Sequence, residues 1–342
     1  MYEKFGKPLI DILKIKNVFI DKEDEFEKEN QRINKIYSQQ PKRTNCMNCS
    51  EPIGHIDYRK QGIDYSICKN CTPLNGIYQD TDNFCNAVYA DSDQSYSANY
   101  DSMTKDEFYD RVKKVYFPKI EFLNTSLKNK NVDISNLSLT DFGAGNGYFV
   151  AAALESNFKN VYGYEVSNNC VNFANEMFGS KILKPFSIPK TLDVIKNVDT
   201  EILSMIGVLE HLQHPREVLK QINLNNSIEY LYLSVPVFGL SVYLELLFPE
   251  MMHRQLSRDH THLYTKESLE WTAKNLNMEV VSTWWFGQEM LDLYRFGSLV
   301  LSKESNISSK WQSIFLKIID RLQLEIDKEY LSSEVHILFK KN

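Results

Sequence analysis

The sequence predicts an α/β fold: a doubly wound, Rossmann-like and mostly parallel sheet of seven strands with an antiparallel last strand, preceded by a small zinc-ribbon-like module. From Leu137 onward, short apolar segments alternate with helical segments, the pattern of βαβ units. A glycine-rich turn at residues 143–147 follows the first of these strands, where open sheets bind ligands. Two Cys-x2-Cys pairs lie near the N-terminus in a stretch broken by proline and glycine.

The composition of the 342 residues limits the function classes. A net charge of −6 argues against extensive phosphate neutralisation and so against nucleic acid, and it favours a small, neutral or sugar-like partner. No stretch approaches the roughly 20 apolar residues that span a bilayer, and the first residues lack the apolar core of a secretory signal. We therefore expect a cytoplasmic protein, in which the six cysteines do not form structural disulfides.

The chain is predicted to divide into four units by changes in composition. The first segment has nearly equal numbers of acidic and basic residues, spaced as on an exposed helix. The next segment contains the paired cysteines, and a polar, Tyr-rich segment follows it before the strands and helices begin to alternate. Thr104 and Glu107 predict a capping box in that stretch. The units are a helical N-terminal arm (1–40), a four-cysteine zinc-binding module (41–75), a linker and helical cover (76–136), and the α/β domain (137–342) with ligand-binding insertions at about 236–277 and 287–332.

Seven strands are predicted in the α/β domain. They are Leu137–Phe142, Asn160–Val166, residues 181–186, Glu201–Ile206, Ile228–Val235, Met278–Phe286 and Glu334–Lys340. Helices are predicted at Gly147–Asn157, Asn168–Phe178 and His214–Ile222, with two more between the last two strands. Right-handed crossovers between parallel strands follow from this order.

The glycine turn is preceded by an acid, Asp141, and reads G-x-G-x-G. Glycines allow a tight turn and the approach of a ligand to the backbone. Eighteen residues after Gly147, Glu165 ends the next strand, where an acid can bind the ribose hydroxyls of an adenosine cofactor. Dinucleotide sites have G-x-G-x-x-G, and a carboxylate at Asp141 suits a cationic amino group better than a pyrophosphate. The alternative is a glycine turn in a domain without a cofactor.

These motifs resemble those of the class I S-adenosylmethionine-dependent methyltransferases. Asp141 to Gly147 looks like their first motif, Glu165 like the acid of their second, and GVLEHLQHP at residues 207–215 like the segment after their fourth strand. The resemblance extends from roughly Tyr96 to the C-terminus.

The resemblance implies that S-adenosyl-L-methionine is the cofactor. Asp141 would orient its amino group, Glu165 would bind its ribose, and residues near Pro185 and Phe186 would flank its adenine. Tyr100, like Tyr96, lies in the N-terminal segment that closes over the cofactor in related enzymes. The complete set of implied cofactor-binding residues is Tyr100, Asp141, Gly143, Gly145, Gly147, Glu165 and Gly207.

The cysteine pairs predict a structural zinc site formed by Cys46, Cys49, Cys68 and Cys71. Eighteen residues separate the pairs, within the spacing of zinc sites that have four cysteine ligands. Four thiolates close a tetrahedral shell, and the metal supplies folding energy that so short a segment cannot obtain from apolar burial. Reduced thiols without metal are the alternative. A scaffolding or substrate-covering role for the module is favoured over nucleic-acid binding, because it is only slightly basic.

Three histidines are candidate catalytic bases: His211, His260 and His262. His260 and His262 alternate, so an extended segment would direct both to one side, and His211 follows Glu210 near the expected position of the reactive sulfur. A histidine that titrates near neutral pH can remove the proton of a methyl acceptor. The alternatives are ordinary pairing with backbone or carboxylate, or a two-histidine metal site, for which Asp259 is wrongly directed in a strand.

A zinc-binding unit before a class I domain also resembles the sugar C-methyltransferases that act on nucleotide-linked deoxysugars. This resemblance implies that the methyl acceptor is a small molecule, either a nucleotide-linked sugar or a glycan precursor. The methyl group would be transferred to an oxygen or a carbon atom of this acceptor. The alternative is an RNA or protein methyltransferase whose zinc module docks the macromolecule. The sequence leaves the acceptor, the methylated atom and the oligomeric state open.

Overall fold

The computed structural model describes residues 1–15, 23–90, 103–248, 254–256, 260–302 and 305–342. Its strands are β1 (Tyr2–Phe5), β2 (Tyr58–Lys60), β3 (Ile63–Ile67), β4 (Leu74–Gly76), β5 (Ser138–Phe142), β6 (Asn160–Glu165), β7 (Leu183–Pro185), β8 (Ile202–Ile206), β9 (Tyr230–Pro236), β10 (His262–Leu263), β11 (Met278–Phe286) and β12 (Glu334–Lys341). Tyr96, Tyr100 and Asp259, three residues considered from the sequence, lie outside the described residues.

The helices alternate with the strands as predicted, but three helices, and not the predicted two, lie between the last two strands. The helices are α1 (Leu9–Ile15), α2 (Glu23–Tyr37), α3 (Asp82–Cys85), α4 (Lys105–Arg111), α5 (Phe117–Lys128), α6 (Tyr148–Leu154), α7 (Asn168–Phe178), α8 (Thr191–Lys196), α9 (Pro215–Leu224), α10 (Leu240–Leu247), α11 (Lys266–Asn275), α12 (Glu289–Val300), α13 (Ser305–Phe315) and α14 (Ile319–Lys328). The capping box of Thr104 and Glu107 is present at the start of α4.

The main sheet has the strand order β1-β11-β12-β9-β8-β5-β6-β7. Strands β5 to β9 pair in parallel, and β12 is antiparallel to both β9 and β11. The predicted mostly parallel α/β sheet with an antiparallel last strand is thus confirmed. The sheet reverses its strand order between β5 and β8, which is where folds of this kind bind ligands, outside the carboxyl ends of the strands.

The predicted count of seven strands is wrong by one. β1 adds an eighth strand, parallel to β11, although its residues were predicted to belong to a helical arm. β1 contains charged residues and therefore does not look like a strand in the sequence. An edge strand with half-buried residues needs no continuous apolar run. The indole of Trp284 in β11 donates a 2.8 Å hydrogen bond to the carbonyl of Gly6, which follows β1.

Two apolar layers cover the faces of the main sheet. Along β9, Tyr230 and Tyr232 pack with α5 and α6, whereas Leu231 and Leu233 pack with α9 and α11. This alternation follows from the two-residue period of a strand that is buried on both faces. The layers hold the carboxyl ends of β5, β6 and β8 side by side, and these ends form one wall of the candidate site.

The cysteine region forms a second, four-stranded sheet of order β10-β4-β3-β2, here called the ribbon sheet. Only β2, β3 and β4 come from the predicted module, because β10 comes from the segment after β9. Further bonds join the module to α11: Asn48 donates to the carbonyl of Ser268 at 3.3 Å and accepts from the Thr272 hydroxyl at 2.9 Å. The module is therefore built into the α/β domain along its edge.

In the part of the chain that the structure describes, every helix is too short or too polar to cross a membrane.

Candidate functional site

The turn after β5 is a left-handed glycine turn. Gly143, Gly145 and Gly147 have φ values of 75°, 52° and 77°, a region that other residues enter only with strain. A Cβ on Gly143 would lie 2.5 Å from a Val208 methyl carbon, and a Cβ on Gly147 would lie 2.8 Å from the Cβ of Ala174. A Cβ on Gly145 would meet no atom within 4 Å. Gly145 thus faces open space, where a ligand can approach the backbone.

Glu165 ends β6 and lies directly against this turn. One of its carboxylate oxygens accepts a 2.8 Å hydrogen bond from the Gly145 amide, and the other accepts a 2.9 Å bond from the Ser167 amide. Burial raises the pKa of Glu165 above its ordinary value, and these amides act in the opposite direction. A carboxylate has about four acceptor positions, so Glu165 can still accept from the hydroxyl groups of a ligand.

Asp141 lies one residue before the end of β5 and is 2% exposed. The Ser204 hydroxyl donates a 2.7 Å hydrogen bond to it. Burial raises the pKa of Asp141 to about 7, and the neighbouring charge of Glu165 adds to this. A cationic ligand group beside Asp141 would favour the ionised carboxylate and restore a lower pKa.

A cavity of about 450 Å³ opens at the carboxyl ends of β6 and β7. Its lining residues are Asn86, Val166, Asn168, Pro185, Phe186, Ser187, Ile188 and Pro189. Pro185 and Phe186, which the sequence associates with an adenine, are thus among them, and the Phe186 ring is fixed by the Phe142 ring at 4.9 Å. This cavity lies at the carboxyl end of β6, the strand that carries Glu165, so its place suits a heterocycle attached to a ribose.

The carboxyl end of β8 carries a second group of polar side chains. Gly207 has a φ of 69° and begins the turn that leads to Glu210 and His211. Glu210 is 2% exposed, and one of its oxygens lies 3.6 Å from Nε2 of His211. The His260 ring stacks on the His211 ring with centroids 5.6 Å apart. Two of the three predicted histidines therefore lie together at this edge of the sheet.

His262 does not join them. It lies in β10 with 1% exposure, and neither ring nitrogen has a hydrogen-bond partner among the residues described. Burial, together with the positive charge of Arg43, lowers the pKa of His262 to about 3. The expectation that His260 and His262 serve one site is wrong, because β10 pairs with β4 and the His262 ring lies against the Tyr264 ring, with centroids 4.6 Å apart, outside the group of Glu210, His211 and His260. A histidine that stays neutral and enclosed is poorly suited to remove a proton from a ligand.

Sequence reasoning missed two features of the site. The Tyr89 hydroxyl lies 3.0 Å from Nδ1 of His211, although its segment looked like a polar linker. Lys119 is buried and lies 3.8 Å from Glu334, whose pKa is held well below its usual range by Lys119 and His336 against the effect of burial. Neither contact has a sequence signal, because the partners are more than 100 residues apart.

The four cysteines of the two pairs converge at one point. Their sulfurs are separated by 3.7 Å (Cys46–Cys71), 3.5 Å (Cys49–Cys68) and 3.8 Å (Cys68–Cys71). A tetrahedral zinc site with bonds of about 2.3 Å places its sulfurs roughly 3.8 Å apart. The contact between the two thiols lowers the pKa of Cys46 and raises the pKa of Cys71, as expected for two sulfurs that share one proton. The donor set and its dimensions thus fit Zn²⁺. Cys85 and Cys170 are buried and lie outside this cluster.

The fold and the glycine turn together define a doubly wound α/β domain with a site for an adenosine-type ligand. The family model described as "Methyltransferase domain" matches residues 109–283, just over half of the chain. The chain belongs to this family and is an S-adenosylmethionine-dependent methyltransferase. The match contains Asp141, Glu165, Glu210 and His260, whereas the cysteine pairs precede it.

Several solved methyltransferase structures are similar to the chain at low identity. The magnesium protoporphyrin IX methyltransferase of Synechocystis PCC 6803, with bound S-adenosylhomocysteine, is 10% identical, with 71% of this chain and 97% of that chain covered and a TM-score of 0.42. A SAM-dependent methyltransferase from Archaeoglobus fulgidus is 14% identical, with 65% and 94% covered and a TM-score of 0.37. A search of curated proteins gives no match.

Proposed function

We propose that this methyltransferase acts on a small-molecule acceptor, a nucleotide-linked sugar or a glycan precursor. The observation that carries this proposal is the enclosure of the polar group at the end of β8. Glu210 is 2% exposed and the His211 side chain is 17% exposed, with Tyr89 from the region after the ribbon packed on the His211 ring. A narrow, covered site favours a small molecule over the exposed surface of a macromolecule. The net charge of −6 points the same way.

The glycine-turn residues would hold S-adenosylmethionine. Gly143, Gly145, Gly147 and Gly207 would line its methionine end, while Asp141 would bind its ammonium group and Glu165 its ribose hydroxyls. Its adenine would enter the cavity beside Phe186, and Tyr100 stays part of the proposed set. The bound cofactor supplies an electrophilic methyl group on a positively charged sulfur.

The chain's own contribution to the reaction would be alignment and proton removal. An acceptor hydroxyl or acidic carbon must lose a proton to become an effective nucleophile, and the place for that step is the group of Glu210, His211 and His260. We leave His262 out of this role, because it is enclosed and its pKa is lowered to about 3.

The ribbon would be a structural zinc site with Cys46, Cys49, Cys68 and Cys71 as its four ligands. Four thiolates leave no open position for catalysis, so the metal would act through the fold. The β10–β4 pairing and the Tyr89–His211 contact carry its effect to the acceptor side.

Calorimetric titration of S-adenosylhomocysteine into the wild type, Glu165→Ala and Glu176→Ala tests the cofactor site. We expect micromolar binding by the wild type. Glu165→Ala should lose about 3 kcal/mol, roughly a factor of 100, because two hydrogen bonds to a charged acceptor disappear. Glu176 is an exposed glutamate in the next helix, and its substitution should leave binding unchanged.

Acceptor class is tested by the release of S-adenosylhomocysteine in the presence of nucleotide sugars, glycan precursors, RNA or protein extracts. Turnover with a nucleotide sugar or glycan precursor supports the proposal. Turnover with RNA or protein alone, lost when zinc is removed, would establish the alternative of a ribbon that docks a macromolecule. Failure of the wild type to bind S-adenosylhomocysteine at all would refute the proposed cofactor site.

A further inference from the structure

We propose that Glu210, His211 and His260 bind a divalent metal ion that activates a hydroxyl group of the acceptor. This second metal site is separate from the cysteine cluster, and its role in activation rests on the function proposed above. It identifies the acceptor as a hydroxyl compound and assigns the two histidines as ligands instead of general bases.

The three side chains are already close enough to share an ion. One ligand atom from each, a carboxylate oxygen and two imidazole nitrogens, lies within 4.8 Å of the others. The measured separation of the Glu210 oxygen and His211 Nε2 is 3.6 Å. Ligands bound at about 2.0–2.2 Å in a tetrahedral shell are roughly 3.3–3.6 Å apart, so small rotamer adjustments suffice.

In both histidine rings, Nδ1 has a hydrogen-bonding partner, as is usual for histidines that bind a metal through Nε2. Nδ1 of His260 lies 3.2 Å from the backbone carbonyl of Gln255, which can only accept, so Nδ1 carries the proton. Nδ1 of His211 lies 3.0 Å from the Tyr89 hydroxyl. Because Nδ1 is engaged in each ring, Nε2 is the nitrogen that would bind the metal. A hydrogen bond of this kind orients a metal-binding histidine and fixes its tautomer.

The carboxylate of this group lies deep in the fold, because Glu210 is 2% exposed. A divalent ion bound there would interact with it in a medium of low dielectric constant, where opposite charges attract each other more strongly than in water.

The donor set indicates which ions fit. One carboxylate and two imidazoles suit first-row divalent ions such as Mn²⁺, Fe²⁺, Co²⁺ or Zn²⁺ and leave positions open for other ligands. A hydroxyl oxygen of the acceptor bound there becomes more acidic. Its O–H bond breaks, the electron pair stays on oxygen, and the proton passes to water. This oxygen would then form a bond to the methyl carbon of the cofactor while the methyl–sulfur bond breaks and leaves its electron pair on sulfur, so the products would be an O-methyl compound and S-adenosylhomocysteine.

Binding of Mn²⁺ to the zinc-loaded full-length protein, followed by electron paramagnetic resonance of the free ion, tests the site without relying on activity. Mn²⁺ prefers oxygen and nitrogen ligands and avoids the thiolates of the ribbon. We expect one bound ion per chain. Glu210→Gln, His211→Ala and His260→Ala should each weaken binding at least 10-fold, and Tyr89→Phe roughly 10-fold through its contact with His211.

His214→Ala is the matched control, because this exposed histidine lies three residues after His211 and outside the cluster. Its Mn²⁺ affinity should equal that of the wild type. S-adenosylhomocysteine titration and zinc content, measured on each sample, establish that a variant is folded. Absence of Mn²⁺ binding in a wild type that binds S-adenosylhomocysteine would overturn the proposal, as would equal Mn²⁺ affinity in folded variants. Mn²⁺ binding without S-adenosylhomocysteine binding would instead refute the proposed cofactor site.

Discussion

The two sides of the site are built in different ways. The glycine-turn side, residues 138–165, comes from one strand-turn-helix-strand unit, and its key contact, Gly145 to Glu165, joins residues 20 apart. The ribbon side consists of residues 41–90 with 209–216 and 260–272. Its contacts join residues 122 apart for Tyr89 and His211 and 220 apart for Asn48 and Ser268.

Because of this difference, the structure of each side should depend on a different stabilising feature. The glycine-turn side lies in the main apolar layers, so its geometry follows from the sheet and needs no metal. On the ribbon side the four cysteines have little apolar packing of their own, although a separate apolar cluster that includes Ile63, Tyr65 and Leu74 supports the ribbon sheet. We therefore expect loss of zinc to disorder the acceptor side and to leave most of the cofactor side intact.

Removal of zinc should have the largest effect. Structural zinc contributes about 10 kcal/mol or more to small cysteine modules, so Cys46→Ser or chelation should unfold residues 41–76. Hydrogen exchange should then rise there and at residues 262–264, while residues 138–165 stay protected. S-adenosylhomocysteine affinity should fall only a few-fold, since only Asn86 of the cavity lining lies close to the ribbon in sequence.

Cys170→Ser is the control, because this buried cysteine lies in α7 outside the cluster. It should leave exchange at residues 41–76 unchanged. Simultaneous loss of protection on both sides after chelation would show that the two sides form one cooperative unit and that the cofactor side also depends on zinc.

The same difference explains which features could be predicted from the sequence. The glycine turn, its two acids and the cysteine spacing are local patterns, and the structure brings each set together as expected. The position of His262 depends on the pairing of β10 with β4, and the position of Tyr89 on the packing of the segment after the ribbon. No local period encodes these contacts. β1 was missed for the same reason, since its partner β11 lies about 280 residues away.

Alanine substitutions in the turn should separate folding from ligand binding. Gly147→Ala combines a φ of 77° with a Cβ 2.8 Å from that of Ala174, so we expect a loss of about 3 kcal/mol in unfolding free energy. Gly145→Ala adds only the left-handed strain, about 1 kcal/mol, because its Cβ meets open space. Denaturant unfolding measures both values.

Gly145→Ala should have a small effect on stability and a large effect on ligand binding, because its methyl group would occupy the space of the cofactor. We expect S-adenosylhomocysteine affinity to fall at least 10-fold in this folded variant. Unchanged affinity would mean that the ligand does not approach the turn at Gly145, which would remove the main geometric support for the cofactor side.

Asp141 should make the cofactor side sensitive to pH. Its folded pKa of about 7 is above the ordinary value of 3.8, so the stability from the protonated form is present at low pH and is lost as pH rises towards 7. The loss is roughly 1.4 kcal/mol per pH unit at most within this window. Thermal unfolding of the wild type without ligand should therefore show this loss, and Asp141→Asn should lack it.

The affinity for S-adenosylhomocysteine should rise with pH over the range in which the stability of the unliganded protein falls. An ammonium group binds the ionised carboxylate, so S-adenosylhomocysteine affinity should fall up to about 10-fold per pH unit below 7. The difference between wild type and Asp141→Asn isolates this group from the titration of Glu165 and from acid loss of zinc. Parallel pH profiles for the two proteins would mean that Asp141 does not bind the ammonium group.

The smallest expected effects come from two helix caps, one on each side. Thr104 caps α4 and Thr265 caps α11, and each side chain accepts a hydrogen bond from the backbone of the first turn. Alanine at either position should cost about 1 kcal/mol in unfolding free energy. Thr265 also shares a hydrogen bond with Thr72 of the ribbon, whereas Thr104 has no such link in the structure described.

The two variants should therefore differ in zinc affinity and not in overall stability. Thr265→Ala removes the hydrogen bond that joins α11 to the ribbon. If about 1 kcal/mol of ribbon stability is lost with it, zinc should bind roughly 5-fold more weakly, as measured by competition with a chelator. Thr104→Ala should retain the wild-type zinc affinity, since α4 packs on α6 and the glycine-turn side. Equal zinc affinity in both variants would show that the ribbon folds around its metal without help from α11. The acceptor side would then depend on zinc alone.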